Sequence, residues 1–198
     1  MSQTPAPDQK PTRERLIRAG LELFQSRGYH AVGLAEILTK AKAPKGSLYH
    51  HFPGGKSALG VAVIEWLEQE ITAQFDEAAA RKIPARKHIQ RLYKDTGIWV
   101  AANEWKQGAL LAVMAQELVP NDPALSAAIA KAYHSANSAL AKALIAGGLP
   151  ADSAERIAIT ALSGLEGCVA RARAARSVQP FDLMAESMDA LLRAEGLA

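Results

Sequence analysis

Residues 44 to 56 read Pro-Lys-Gly-Ser-Leu-Tyr-His-His-Phe-Pro-Gly-Gly-Lys, so Lys45, Ser47, Tyr49, His50 and His51 bring several hydrogen-bonding groups together within about two helical turns. Leu48 and Phe52 stand four apart, and a helix would turn both toward a core while the polar groups face out. Gly46 has no side chain and lets such a helix approach a backbone closely. The chemistry this stretch offers is non-covalent. Small and hydrogen-bonding groups on one edge, with an apolar seam on the other, are what a helix seated in the major groove of DNA requires. The ring of Tyr49 can pack while its hydroxyl reaches a phosphate.

Other chemistries find less support. Adjacent histidines on a helix point about 100° apart, and no carboxylate or thiolate stands at ligand spacing from His50 and His51, so no metal and no cofactor are expected. The chain carries no G-x-S-x-G, no Walker sequence and no dinucleotide fingerprint, and no paired acid and base, so it is not expected to be an enzyme. Cys168 is the single cysteine, which excludes an intramolecular disulfide framework and suits a reducing cytosol.

The groups of the 44–56 stretch need elements to hold them. Thr12 to Arg27 places Leu16, Ile17, Gly20, Leu23 and Phe24 on one stripe; Thr12 is a candidate N-cap and Gly28 a stop. A short second helix runs from Gly33 or Leu34 to Ala41, and Pro44 suits the first position of a third, Pro44 to His50. Two short helices across so tight a turn read as helix-turn-helix. After the Pro53-Gly54-Gly55 break, a long fourth helix from Lys56 to about Ala80 carries Leu59, Val63, Leu67, Ile71 and Phe75 at a spacing of four. Further helices fit 85–102, 106–118, 122–146, 151–175 and 181–194, giving an all-α chain of about nine helices. The reading divides it into a polar tail (1–11), a helix-turn-helix head (12–55) and a helical ligand-binding and dimerising body (56–198).

Charge follows the same division. Residues 1–60 carry nine Lys or Arg against four Asp or Glu, a net of +5, whereas 61–198 carry fourteen against sixteen, a net of −2. The positive field belongs to the head and suits a polyanion partner. The first eleven residues lack the apolar segment of a signal peptide, and no window approaches a membrane span, so a soluble, cytoplasmic protein with no membrane partner is expected.

Phe24 with Gly28, Ile37, the run Lys45 to Phe52 and then Lys56 resemble the signature of the tetracycline-repressor (TetR) family, over about residues 12–75. A weaker likeness at Leu165 to Ala172 is similar to the penultimate helix of many members. The resemblance implies that Lys45, Gly46, Ser47, Tyr49 and His50 face DNA. His51 is similarly placed, with packing and phosphate contact both open to it. Lys56 resembles the family lysine that meets the phosphate backbone, and Thr12 or Arg13 would do so from the first helix. The resemblance also implies a homodimer through the last two helices, 151–175 and 181–194, in a four-helix bundle. Two departures stand out: Lys42 replaces a common glycine in the turn, and Pro44 replaces a serine or threonine cap. Pro44 and the double glycine look like the subgroup of drug- and flavonoid-responsive repressors.

The expected activity is a repressor released from a palindromic DNA operator by a small hydrophobic or drug-like effector. Aromatic walls with a few polar groups would form its cavity, and Trp99, Met114, Glu117, Tyr133, Asn137 and Glu166 are the candidates. An activator or ligand-independent DNA-binding protein with the same head, and a helical small-molecule carrier, are the rival readings.

Overall fold

The computed structural model describes residues 11–197, so nearly all of the expected N-terminal tail lies outside the described residues. The described residues fold into nine helices and no strand: α1 (Thr12–Arg27), α2 (Leu34–Lys40), α3 (Ser47–His51), α4 (Gly55–Ala80), α5 (Ala85–Ala102), α6 (Leu110–Leu118), α7 (Pro123–Ala146), α8 (Ala151–Ala175) and α9 (Gln179–Ala194). The all-α expectation holds, with local corrections. The N-cap of α1 is Pro11 and not Thr12, which is the first helical residue, and no side chain caps this helix end. Helix α3 starts at Ser47 and not Pro44: the Pro44 carbonyl accepts the Ser47 N–H at 3.0 Å, so Pro44 opens a turn ahead of the helix. Helix α6 starts at Leu110, four residues later than expected, after a segment in which Glu104 and Trp105 take left-handed backbone angles (φ 54° and 62°) and end the path of α5.

The chain divides into two compact units. The first holds the residues up to Leu67 together with Leu110–Ala130. Here α1 packs on α2, α3 and α6. Leu16, Phe24, Ile37, Leu48, Leu59, Ile64, Met114 and Leu125 are its largest fully buried side chains. Burial of each is worth about 1.5–3 kcal/mol. Gly20 lets α1 and α4 close up, since a methyl there would meet Val63 Cγ2 at 3.0 Å.

The second unit holds Glu68–Ala109 and the chain from Lys131 onward, and in it α5 packs on α8 and α9. Tyr93 is fully buried, and its hydroxyl donates to the Ala161 carbonyl at 2.7 Å. Phe181 of α9 lies on Gly97 of α5, its ring 3.1 Å from where a side chain would begin. Arg86 grips Asp189 through two hydrogen bonds, 2.8 and 3.0 Å, and Arg193 adds a third. These guanidiniums hold the Asp189 carboxyl down at about 2. Helix α4 contributes residues to both units.

Candidate nucleic-acid interface

The short helix α3 is set by its apolar edge. Leu48 is wholly buried and Phe52 nearly so, and with those two anchored the opposite edge is left outside. Lys45, Gly46, Tyr49 and His50 are exposed, Tyr49 by 61%, while Ser47 and His51 are half-buried. The Ser47 hydroxyl donates to the Pro44 carbonyl at 2.7 Å, which leaves its oxygen free to accept. The rings of His50 and His51 meet edge to face with centroids 4.9 Å apart. Among the described residues no three His, Cys, Asp or Glu side chains are grouped so as to hold an ion.

The turn after α2 takes its left-handed residue from lysine and not glycine. Lys42 adopts a left-handed φ of 48°, where an ordinary residue costs about 1–2 kcal/mol. Arg15 reaches across from α1, its Nε donating to the Ala41 carbonyl at 3.0 Å and its Nη2 to that of Lys42 at 3.4 Å. One guanidinium thus pins the turn to α1, and the departure from glycine at 42 is accommodated.

Two helix starts flank α3. Arg13, exposed on α1, places its guanidinium 5.4 Å over the Phe52 ring, and Thr12 lies half-buried beside it in the chain. Lys56, in the first turn of α4, is half-buried, with its ammonium 4.3 Å over the Tyr29 ring. Burial pushes the Lys56 pKa below the ordinary lysine value, and the charge of Glu117 acts in the opposite sense. Tyr29 is itself pushed up to about 12 by burial and by Asp122.

The six effector candidates are divided between the two units. Met114 is fully buried in the first unit, where a side chain on Gly60 would touch it. Glu117 lies in the first unit too, with its carboxylate accepting the His30 backbone N–H at 2.7 Å. In the second unit Tyr133 donates to Glu166 Oε1 at 3.0 Å, and Asn137 stands one turn beyond Tyr133 on α7. Burial raises the Glu166 carboxyl, and this hydrogen bond offsets it in part. Trp99, 39% exposed, lines a groove of about 480 Å³ between α4 and α5 with Phe75, His88, Arg91 and Leu92. His88 was missed by the sequence reading. It is 8% exposed, its Nδ1 has no hydrogen-bond partner, and burial lowers its pKa, so its imidazole is neutral at pH 7. Its place on the inward stripe of α5, one residue before Ile89, was the available signal.

No helix of the described residues is long and apolar enough to cross a membrane. Residues 16–63 match the model of the tetR family of bacterial regulatory proteins, and residues 85–187 match the C-terminal domain of LmrA/YxaF-like transcriptional regulators. The HTH-type transcriptional regulator YxaF of Bacillus subtilis is 27% identical over 185 residues, covering 93% of this chain and 97% of its own. Over 54 residues, 27% of each chain, identity to the HTH-type transcriptional repressor NemR of Escherichia coli rises to 48%. The crystal structure of regulatory protein TetR from Rhodobacter sphaeroides superposes with a TM-score of 0.79 at 26% identity, covering 90% of this chain and 97% of that one. With an exposed, hydrogen-bonding α3 seated on a buried apolar edge, and matches that together run through head and body, the chain belongs to the tetR family of bacterial regulatory proteins and is a DNA-binding transcriptional regulator.

Proposed function

We propose that this regulator is a homodimeric repressor working in the cytoplasm, which holds a near-palindromic operator with one α3 per protomer and lets go when a small apolar effector binds. Residues 12–55 serve as the DNA-binding head and 56–198 as the sensing and dimerising body. The observation that carries the reading is the two-edged burial of α3, with Leu48 and Phe52 inside and Lys45, Tyr49 and His50 outside. Lys45, Gly46, Ser47, Tyr49 and His50 read the groove, while His51, Thr12, Arg13 and Lys56 meet phosphates. Phosphate contacts position the head and base contacts specify the site. Two heads of a symmetric dimer span successive major grooves, about 34–36 Å apart.

Lys56 gives the direct test. Lys56→Ala should weaken binding to operator and mixed-sequence duplexes alike, and lower the slope of log affinity against log salt by about 0.9. A slope equal to that of the unaltered protein would take Lys56 off the DNA backbone.

For the effector, the groove of about 480 Å³ between α4 and α5 falls within the usual range for ligand sites, about 300–1,000 Å³. Trp99, Phe75 and Leu92 supply apolar walls, and neutral His88 supplies a polar atom in want of a partner. Tyr133, Asn137 and Glu166 form a separate polar set on α7 and α8 that supports the same sensing role. A compound that dissociates the DNA complex should be about tenfold less potent against Trp99→Ala, with affinity for DNA unaltered; equal potency would move the effector out of this groove.

Dimerisation is supported by a groove of about 630 Å³ along α8 and α9. Small residues, Gly164, Gly167, Ala174 and Ala175, line it beside Leu183, which is 55% exposed. A second copy of these helices would fill it and cover the leucine.

A further inference from the structure

Residue 117 does more than pack. Its carboxylate accepts the His30 backbone N–H at 2.7 Å, its main-chain oxygen lies 3.3 Å from His30 Nε2, and its Oε1 fills the space a side chain at position 28 would occupy, 2.0 Å from that point. The loop Gly28–His30, between α1 and α2, is thus gripped by the last turn of α6. Between those two residues stands Tyr29, whose ring carries the Lys56 ammonium at 4.3 Å. At the far side of the α6–α7 corner, Asp122 accepts the Ser57 hydroxyl at 3.1 Å and the Leu125 N–H at 3.1 Å, capping α7. Glu117 therefore grips the residues on both sides of the tyrosine that carries Lys56, and Asp122 grips Ser57, the next residue of α4.

We infer that Glu117 is an affinity-determining residue for DNA: it holds Lys56 on Tyr29 in competition with the phosphate backbone, so that the charge on the α6–α7 corner sets how readily that lysine reaches DNA. The inference rests on the phosphate role of Lys56 proposed above. Whatever free energy holds the ammonium on the Tyr29 face must be given up in part when it turns toward a phosphate, so the strength of the first contact subtracts from the second. The same grip gives the α6–α7 corner a route to the head. A shift of the corner changes the field at Lys56 without altering α3.

Glu117→Gln separates charge from shape, because the amide oxygen still accepts the His30 N–H while the negative charge is gone. With a labelled mixed-sequence duplex of about 30 base pairs, long enough for two major grooves, Glu117→Gln should bind roughly three- to fivefold more tightly than the unaltered protein. The gain should vanish in the Lys56→Ala background, where Glu117→Gln should change affinity by less than about 1.5-fold, a non-additivity that reports coupling between the two positions. A gain of the same size in both backgrounds would reveal a general charge effect and overturn the inference while leaving Lys56 on the phosphates. A Glu117→Gln protein that binds no more tightly overturns it too. If Lys56→Ala alone changes neither affinity nor salt slope, the phosphate role itself fails, and this inference with it. Thermal melting of each variant, expected within a few degrees of the unaltered protein, shows that the fold is kept.

Discussion

A Tyr49→Ala protein is expected to fold, dimerise and sense as before, and to lose its operator. The side chain is 61% exposed, so its removal opens no cavity; Leu48 and Phe52 on the other edge of α3 keep the helix seated. What goes is a ring and a hydroxyl at the groove. A good contact at a DNA site is worth about 1–3 kcal/mol, and a dimer makes it twice, so the loss should amount to about 2–6 kcal/mol, thirtyfold to many thousandfold in affinity. The measurement is a footprint or anisotropy titration on the DNA flanking the protein's own gene, with sedimentation to confirm the dimer. Normal protection by the variant would remove α3 from the groove.

Leu183→Asp should have the second large effect, through assembly. Leu183 is exposed in the single chain and lines the groove with Gly164 and Gly167, so the substitution costs the isolated fold little. In the dimer proposed above the same position would be covered, and an unpaired carboxylate buried at an apolar interface costs several kcal/mol. Sedimentation should find a monomer, with circular dichroism unchanged. Operator affinity should then drop by at least about a hundredfold, since one head alone loses half of the contacts. A dimer that survives the charge would show that the protomers meet elsewhere. Phe181, two residues earlier and 1% exposed against Gly97, is the wrong residue for this test, because its truncation would cost about 3–5 kcal/mol of fold stability and confuse the two effects.

Much of this architecture was legible because its boundaries have local causes. Helix α1 ends at Gly28, which takes φ 83°, and α5 and α8 begin after Pro84 and Pro150, so their limits could be read to the residue. The two edges of α3 followed from the spacing of Leu48 and Phe52 alone. The start of α3 was misread because Pro44 suits the first residue of a helix and the opening of a turn equally well, and only the hydrogen bond from Ser47 N–H decides between them. The left-handed turn between α5 and α6 was hidden because its residues, Glu104 and Trp105, are not the glycine or asparagine that announce such angles. The effector candidates were hardest to place. Met114 is apolar on an apolar stripe, which fits core and cavity alike, and the partner of Glu117 is His30, a residue no periodicity connects to it.

Gly28 and Glu117 bear on each other. At position 28 a side chain would strain the backbone and push the Glu117 carboxylate off its seat, so the glycine is what lets that carboxylate reach the His30 N–H. Two sites far apart along the polypeptide thus meet at one point, and a bulkier residue at the first would cost the second its hydrogen bond.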